Sequence, residues 1–168
     1  MSEPALRLQL ASPDDIPAIR DLAHRIWREH YPDIIGAAQV EYMLDLNYSA
    51  EALARQMAEG QEFLLVADGG SAPIGFIAVS EKGPGQYFIH KFYLDNGQRG
   101  RGLGHAAFGA LLALLPEARE IRLTVNRQNY KSINFYFKTG FVIEQCLDIE
   151  IGSGFVMNDF QMIWRRRD

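Results

Sequence analysis

The residues with the most chemical potential lie in Gln98-Arg99-Gly100-Arg101-Gly102-Leu103-Gly104. Glycines at alternate positions let successive backbone N–H groups point into one concavity with no Cβ in the way. Where such a turn opens a helix, the helix adds its own unpaired N–H groups and the positive end of its dipole. Arg99 and Arg101 add fixed charge, which suits a diphosphate better than a lone carboxylate. The same turn also serves where a helix only has to pack close on a sheet, and the spacing alone leaves both readings open. It lacks the Gly-Lys-Ser/Thr ending of a Walker loop, which speaks against a nucleotide kinase, and Gly100-x-Gly102-x-Gly104 is not the Rossmann spacing.

Further along, Asn129 stands seven residues before Tyr136, and His90 interrupts an apolar run. Tyr136 also fits an apolar helix face with Ile133 and Phe137. Asn129 also fits a turn, and a lone His in such a run is commonly a core residue. Cys146 is the one cysteine; it can form no internal disulfide and seeds no metal cluster, so a reducing compartment is expected and the thiol should pack as a small apolar group.

The elements that must position these residues follow from periodicity. Leu6, Leu8 and Leu10 alternate with polar residues as in a strand with one buried face. Ser12-Pro13-Asp14-Asp15 is a helix start with Ser12 as N-cap, and the helix runs to Tyr31-Pro32. Helices over 37–46 and 50–59 should follow. Phe63–Ala67 and Ile74–Val79 form an antiparallel hairpin, and Tyr87–Leu94, apolar at both parities, is a central strand. After the glycine turn, Leu103, Ala106, Ala107, Ala110, Leu111, Leu114 and Leu115 recur at helical spacing up to Pro116. A strand over 121–125, a helix over 131–139 closed by Gly140, and a hairpin of 141–151 with 155–164 complete the chain. The order is β, two or three α, β, β, β, α, β, α, β, β, which fits an α+β fold around one central sheet.

At 168 residues the chain should form a single domain, residues 1–168, that buries on the order of 70% of its unfolded surface without staples. Its formal charge of −4, with no basic stripe, argues against nucleic acid as a partner. No apolar stretch approaches the roughly 20 residues of a membrane span, and no leader pattern opens the sequence, so no membrane is expected and a cytoplasmic location is.

Arg99-x-x-Gly102-x-Gly104 after an apolar strand, then Asn129, then Phe135-Tyr136-Phe137-Lys138-Thr139-Gly140-Phe141, resembles the GNAT superfamily of acetyl-CoA-dependent N-acetyltransferases. Within it, residues 27–46, 135–141 and 154–159 look like bacterial members related to polyamine acetyltransferases. The resemblance covers almost the whole chain. It implies a mixed, mostly antiparallel sheet of about seven strands with helices on both faces. The implied activity is direct transfer of acetyl from acetyl-CoA to the primary amine of a small molecule or peptide, with no metal. It leaves room for a homodimer, and for an alternative in which the chain is a catalytically silent acyl-CoA-binding module.

Carried over residue by residue, the resemblance gives Phe92, Tyr93 and Leu94 main-chain pairing with the pantetheine arm. The Leu94 N–H would polarise the thioester carbonyl. Arg99, Gly100, Arg101, Gly102, Leu103, Gly104 and His105 would hold the pyrophosphate, and Asn129 would contact the pantetheine. Tyr136 would protonate the leaving thiolate, a role open to a phenol with an ordinary pKa near 10. Related N-terminal acetyltransferases place a base Glu five residues before the Asn, where this chain has Thr124. Deprotonation through water is therefore expected, with Glu81, His90 and Asp159 as side-chain candidates and His90 first among them. Helices one and two and the stretch 31–48 should form an acceptor wall, and Arg165-Arg166-Arg167 a solvated tail.

Overall fold

The computed structural model describes residues 6–70, 72–95 and 102–168. Seven strands hydrogen-bond in the order β1-β2-β3-β4-β5-β7-β6, where β1 is Arg7–Leu10, β2 Glu62–Ala67, β3 Gly75–Gly83, β4 Gln86–Leu94, β5 Glu120–Asn126, β6 Val142–Gly152 and β7 Phe155–Arg165. The β4/β5 pair is parallel, whereas β1/β2, β2/β3, β5/β7 and β6/β7 are antiparallel. The sheet is thus mixed and mostly antiparallel, as expected. The chain gathers into two compact units: one comprises the residues up to Ser80 with Lys91–Pro116, the other Glu81–His90 with Glu117–Asp168.

In the first unit, Ser12 caps the chain's first helical turn as predicted, accepting from the Asp14 N–H while Asp15 reaches back to the Ser12 N–H. The turn runs into α1, Ile16–His30, which buries Ile16, Ile19, Leu22, Ala23, Ile26 and Trp27 along one face. A short turn α2, Pro32–Ile35, which periodicity over four residues cannot reveal, leads to α3, Ala37–Tyr48, and α4, Ala50–Ala58. Ser49 caps α4 through the Ala52 N–H at 3.1 Å. These helices share a core with Phe63, Val66, Phe76 and Ile77, each such side chain contributing about 1.5–3 kcal/mol by leaving water.

The unit also holds α5, Leu103–Leu114. Its buried stripe is Ala107, Phe108 and Leu111, while Leu114 is 53% exposed. The apolar spacing named Leu114 and omitted Phe108; the largest side chain of the helix turns inward and rotates the stripe by about one residue.

In the second unit β5 alternates: Ile121, Leu123 and Val125 are buried, and Glu120, Arg122, Thr124 and Asn126 are half-buried on the other face. Then α6, Tyr130–Thr139, buries Ile133 and Tyr136 and ends at Gly140, whose φ of 112° gives the predicted left-handed cap. Two expectations are corrected. Cys146 is exposed on the edge strand β6, where its Sγ accepts from Arg127 Nη1 at 3.1 Å, because β6 has a neighbour on one side only. The tail is in part structured: β7 runs through Arg165, and the Arg166 backbone N–H and side-chain Nε donate to the carbonyls of Arg119 and Ala118.

Candidate active site

The first unit supplies the end of β4 and the start of α5. Phe92, Tyr93 and Leu94 are half-buried, and the Asp95 N–H donates to the Ile74 carbonyl at 2.7 Å. A Cβ on Gly75 would overlap the Tyr93 carbonyl, so glycine is what lets β3 approach the backbone here. The Tyr93 ring joins an aromatic cluster, 5.8 Å from Trp27, 6.3 Å from Tyr31 and 5.6 Å from Phe76. Arg25 fixes the strand end by pairing with Asp95 at 2.6 Å.

Gly102 takes the left-handed conformation, φ 69° and ψ 14°, immediately before α5. Among the described residues a Cβ there would meet nothing within 4 Å, so the glycine answers a backbone requirement, φ being positive. The N–H groups of Leu103, Gly104 and His105 open the helix, the first of their turn. Arg99, Gly100 and Arg101 lie outside the described residues.

Sequence reasoning missed Lys91. It is 7% exposed, its Nζ donates to Gln61 Oε1 at 2.9 Å, and the rings of Phe63 and Tyr48 stand 5.1 and 5.7 Å away. Burial lowers its pKa to about 7. The signal was parity: Lys91 shares one side of the strand with Ile89, and these two are its buried members. Tyr48 beside it is fully enclosed, and burial pushes its phenol well above the usual range.

The second unit supplies the remaining candidates. Among the described residues the β4/β5 ladder comprises three pairs, Gln86–Phe88 against Glu120–Arg122. Beyond it β5 continues for four residues to Asn126, which stay paired to β7 on the other side. Asn129 is 2% exposed and caps α6, its Oδ1 accepting from the Ser132 N–H at 3.4 Å. Tyr136, nearly two helical turns on, is buried with its ring 5.3 Å from Phe135 and 5.4 Å from Phe141. The two residues singled out by spacing are thus the cap and an inward side chain of one helix.

The three base candidates separate. Glu81 is exposed on β3. His90 is half-buried, 4.9 Å from the Phe88 ring, so the histidine that broke the apolar run is not the enclosed group of β4. Asp159 on β7 is 1% exposed, with a hydrogen bond from the Thr124 side chain and a pKa raised to about 6, desolvation outweighing the nearby Arg127. Among the described residues no three His, Cys, Asp or Glu side chains stand together as metal ligands. Among the described residues no helix is long and apolar enough to cross a membrane.

Known proteins bear on this arrangement. The model of the acetyltransferase (GNAT) family matches residues 16–141. A spermidine N(1)-acetyltransferase of Thermoplasma acidophilum is 27% identical, over 91% of this chain and 96% of its own. An uncharacterised N-acetyltransferase of Mycobacterium tuberculosis is 24% identical, over 89% and 96%. Among solved structures, the PaiA N-acetyltransferase of Thermoplasma acidophilum in complex with coenzyme A superposes with a TM-score of 0.78 at 25% identity, covering 99% of this chain and all of that one. With its strand order, its left-handed glycine entering α5 and a family match over three quarters of its length, the chain belongs to the GNAT family and is an acetyl-CoA-dependent acyltransferase.

Proposed function

We propose that the protein transfers acetyl from acetyl-CoA to the primary amine of a small cationic acceptor, a polyamine being the first class to try. The observation that carries this reading is the end of the β4/β5 ladder after three pairs, with Asn129 and Tyr136 on the helix that follows β5. Strand backbone that has left its ladder can pair with the amides of an extended ligand. The left-handed Gly102 and the start of α5 are suited to phosphate.

In this reading Phe92, Tyr93 and Leu94 hold the pantetheine arm through the main chain. Arg99 through His105 hold the pyrophosphate, and Asn129 contacts the pantetheine while capping α6. When bound, acetyl-CoA supplies the activated acetyl thioester. The Leu94 N–H favours negative charge on the thioester oxygen. The Tyr136 hydroxyl gives its proton to the departing thiolate. His90 remains a candidate contact for the incoming amine. The acceptor class draws support from the spermidine N(1)-acetyltransferase relative.

The test is mass spectrometry of spermidine, spermine, amino acids, an aminoglycoside and a short peptide, each incubated with protein and acetyl-CoA. A gain of one acetyl on spermidine or spermine is expected. Coenzyme A binding without product on any of these amines would overturn the reading in favour of an acyl-CoA-binding module.

A further inference from the structure

The amine of a cationic acceptor is protonated at neutral pH, and it must lose that proton before its lone pair can attack a carbonyl. The second unit contains a pair of side chains with the connectivity to take it. Thr124 and Asp159 share one face of the β5/β7 ladder: Thr124 lies opposite Gln161, and Asn126 lies opposite Asp159 two residues on. The Asp159 carboxylate accepts a hydrogen bond from the Thr124 side chain. Its Oδ1 is buried with no hydrogen-bond partner, whereas Thr124 is half-buried and follows the last rung of the β4/β5 ladder by two residues.

A buried carboxylate oxygen without a donor costs free energy that a fold retains only for a reason. Structural pairing does not supply that reason here. Arg127, the cation that acts on Asp159 through charge, sends Nη2 to Asp148 on β6 at 2.8 Å, and Nη1 to the Leu147 carbonyl at 2.9 Å and to the Asp159 main-chain carbonyl at 3.4 Å. Gln161, next on the same face, is taken by Glu144 of β6 at 2.8 Å. The charged groups around this pair are Arg122 of β5, bound to Glu144 of β6 at 2.9 Å, and Arg127 of the turn after β5, bound to Asp148 of β6, so each is engaged elsewhere.

We infer that Thr124 and Asp159 form a proton relay for the acceptor amine, with the threonine hydroxyl as its outer end and the carboxylate as its sink. The step balances without any co-reactant. One ammonium N–H bond breaks as its proton moves to Thr124 Oγ1, the proton already on Oγ1 moves to Asp159, and a neutral amine faces a neutral carboxylic acid. The acid later returns its proton to solvent by the same route. Two short polar side chains on adjacent strands thus do what one long carboxylate on β5 would do. The raised proton affinity of Asp159 suits a group that must accept a proton near neutrality while still ionised when the amine arrives.

This inference rests on the amine-transfer reading above, and the experiment separates the two. Turnover of spermidine is measured from pH 5 to 9 for the wild type, Asp159→Asn, Thr124→Val and Thr124→Ser, with coenzyme A affinity by calorimetry as the control for folding. The wild-type rate should fall on the acid side with an apparent pKa near 6. Asp159→Asn should lose roughly 10²-fold or more in kcat together with that acid limb, at unchanged coenzyme A affinity. Thr124→Val should lose about 10-fold or more, and Thr124→Ser should recover most of it. A wild-type rate and acid limb in Asp159→Asn, or full activity in Thr124→Val, would overturn the relay alone. A wild type that binds coenzyme A yet acetylates no amine would overturn the transfer reading and the relay with it.

Discussion

Individual side chains carry the sharpest expectations. Tyr136→Phe removes one hydroxyl from a helix held by Ile133 and Phe141, so the fold should survive; turnover should fall by roughly 10²-fold with coenzyme A affinity nearly intact, as steady-state kinetics would read. Lys91 and Asp159 are enclosed groups whose ordinary charges the fold disfavours, and each leaves a pH signature with its own sign. The folded state releases the Lys91 proton more readily than the unfolded chain. The resulting penalty is absent above the usual lysine range, builds as pH falls from there, and is complete below about 7. Lys91→Met should therefore raise Tm near neutrality by an amount worth about 1–3 kcal/mol, a gain that closes towards pH 10.5 in calorimetric scans. Asp159 holds its proton more tightly when folded, so its contribution favours the fold at pH below about 4 and is lost as pH rises through about 6. Asp159→Asn should consequently be more stable than the wild type at pH 7.5 and equal to it at pH 4, even as it loses activity.

At the scale of elements, the glycine entering α5 and the caps of α4 and α6 can be tested one by one. Gly102→Asp places a side chain at φ 69° and a negative charge at the helix's positive end. Coenzyme A binding should disappear while circular dichroism shows the fold retained, since none of the described residues lies within 4 Å of the new Cβ. Ser49→Ala should cost about 1 kcal/mol in denaturant unfolding, the usual worth of an N-cap. Most of this scaffold was legible in the sequence because its signals are local. Ser12, Ser49 and Gly140 announce helix ends within a few residues, and the alternation of β5 is visible in Ile121, Leu123 and Val125. What stayed hidden depends on partners distant in the chain. Lys91 is enclosed because Phe63 and Tyr48 come to it, and the burial of Asp159 requires β7 to lie between β5 and β6. Cys146 was misjudged for the same reason, since composition does not reveal which strand of a hairpin ends on the outside of a sheet.

For the molecule as a whole, the acidic balance of twenty-one Asp and Glu against seventeen Lys and Arg should draw cationic acceptors towards it. The KM for spermidine should accordingly rise when NaCl goes from 0.05 to 0.5 M, with kcat little changed, because screening acts on encounter and not on chemistry. The same balance protects an outer border of the sheet. β6 is an eleven-residue rim strand that shows Val142, Ile143 and Ile149 to water and separates them with Glu144, Asp148 and Glu150. Its ionised carboxylates keep copies apart, since an uncovered strand with apolar side chains otherwise invites lateral association. In concentrated solution an Ile149→Lys variant should stay clear where the wild type turns turbid and binds thioflavin. The shelf life of this enzyme should thus depend on a strand, β6, to which no step of acetyl transfer is assigned.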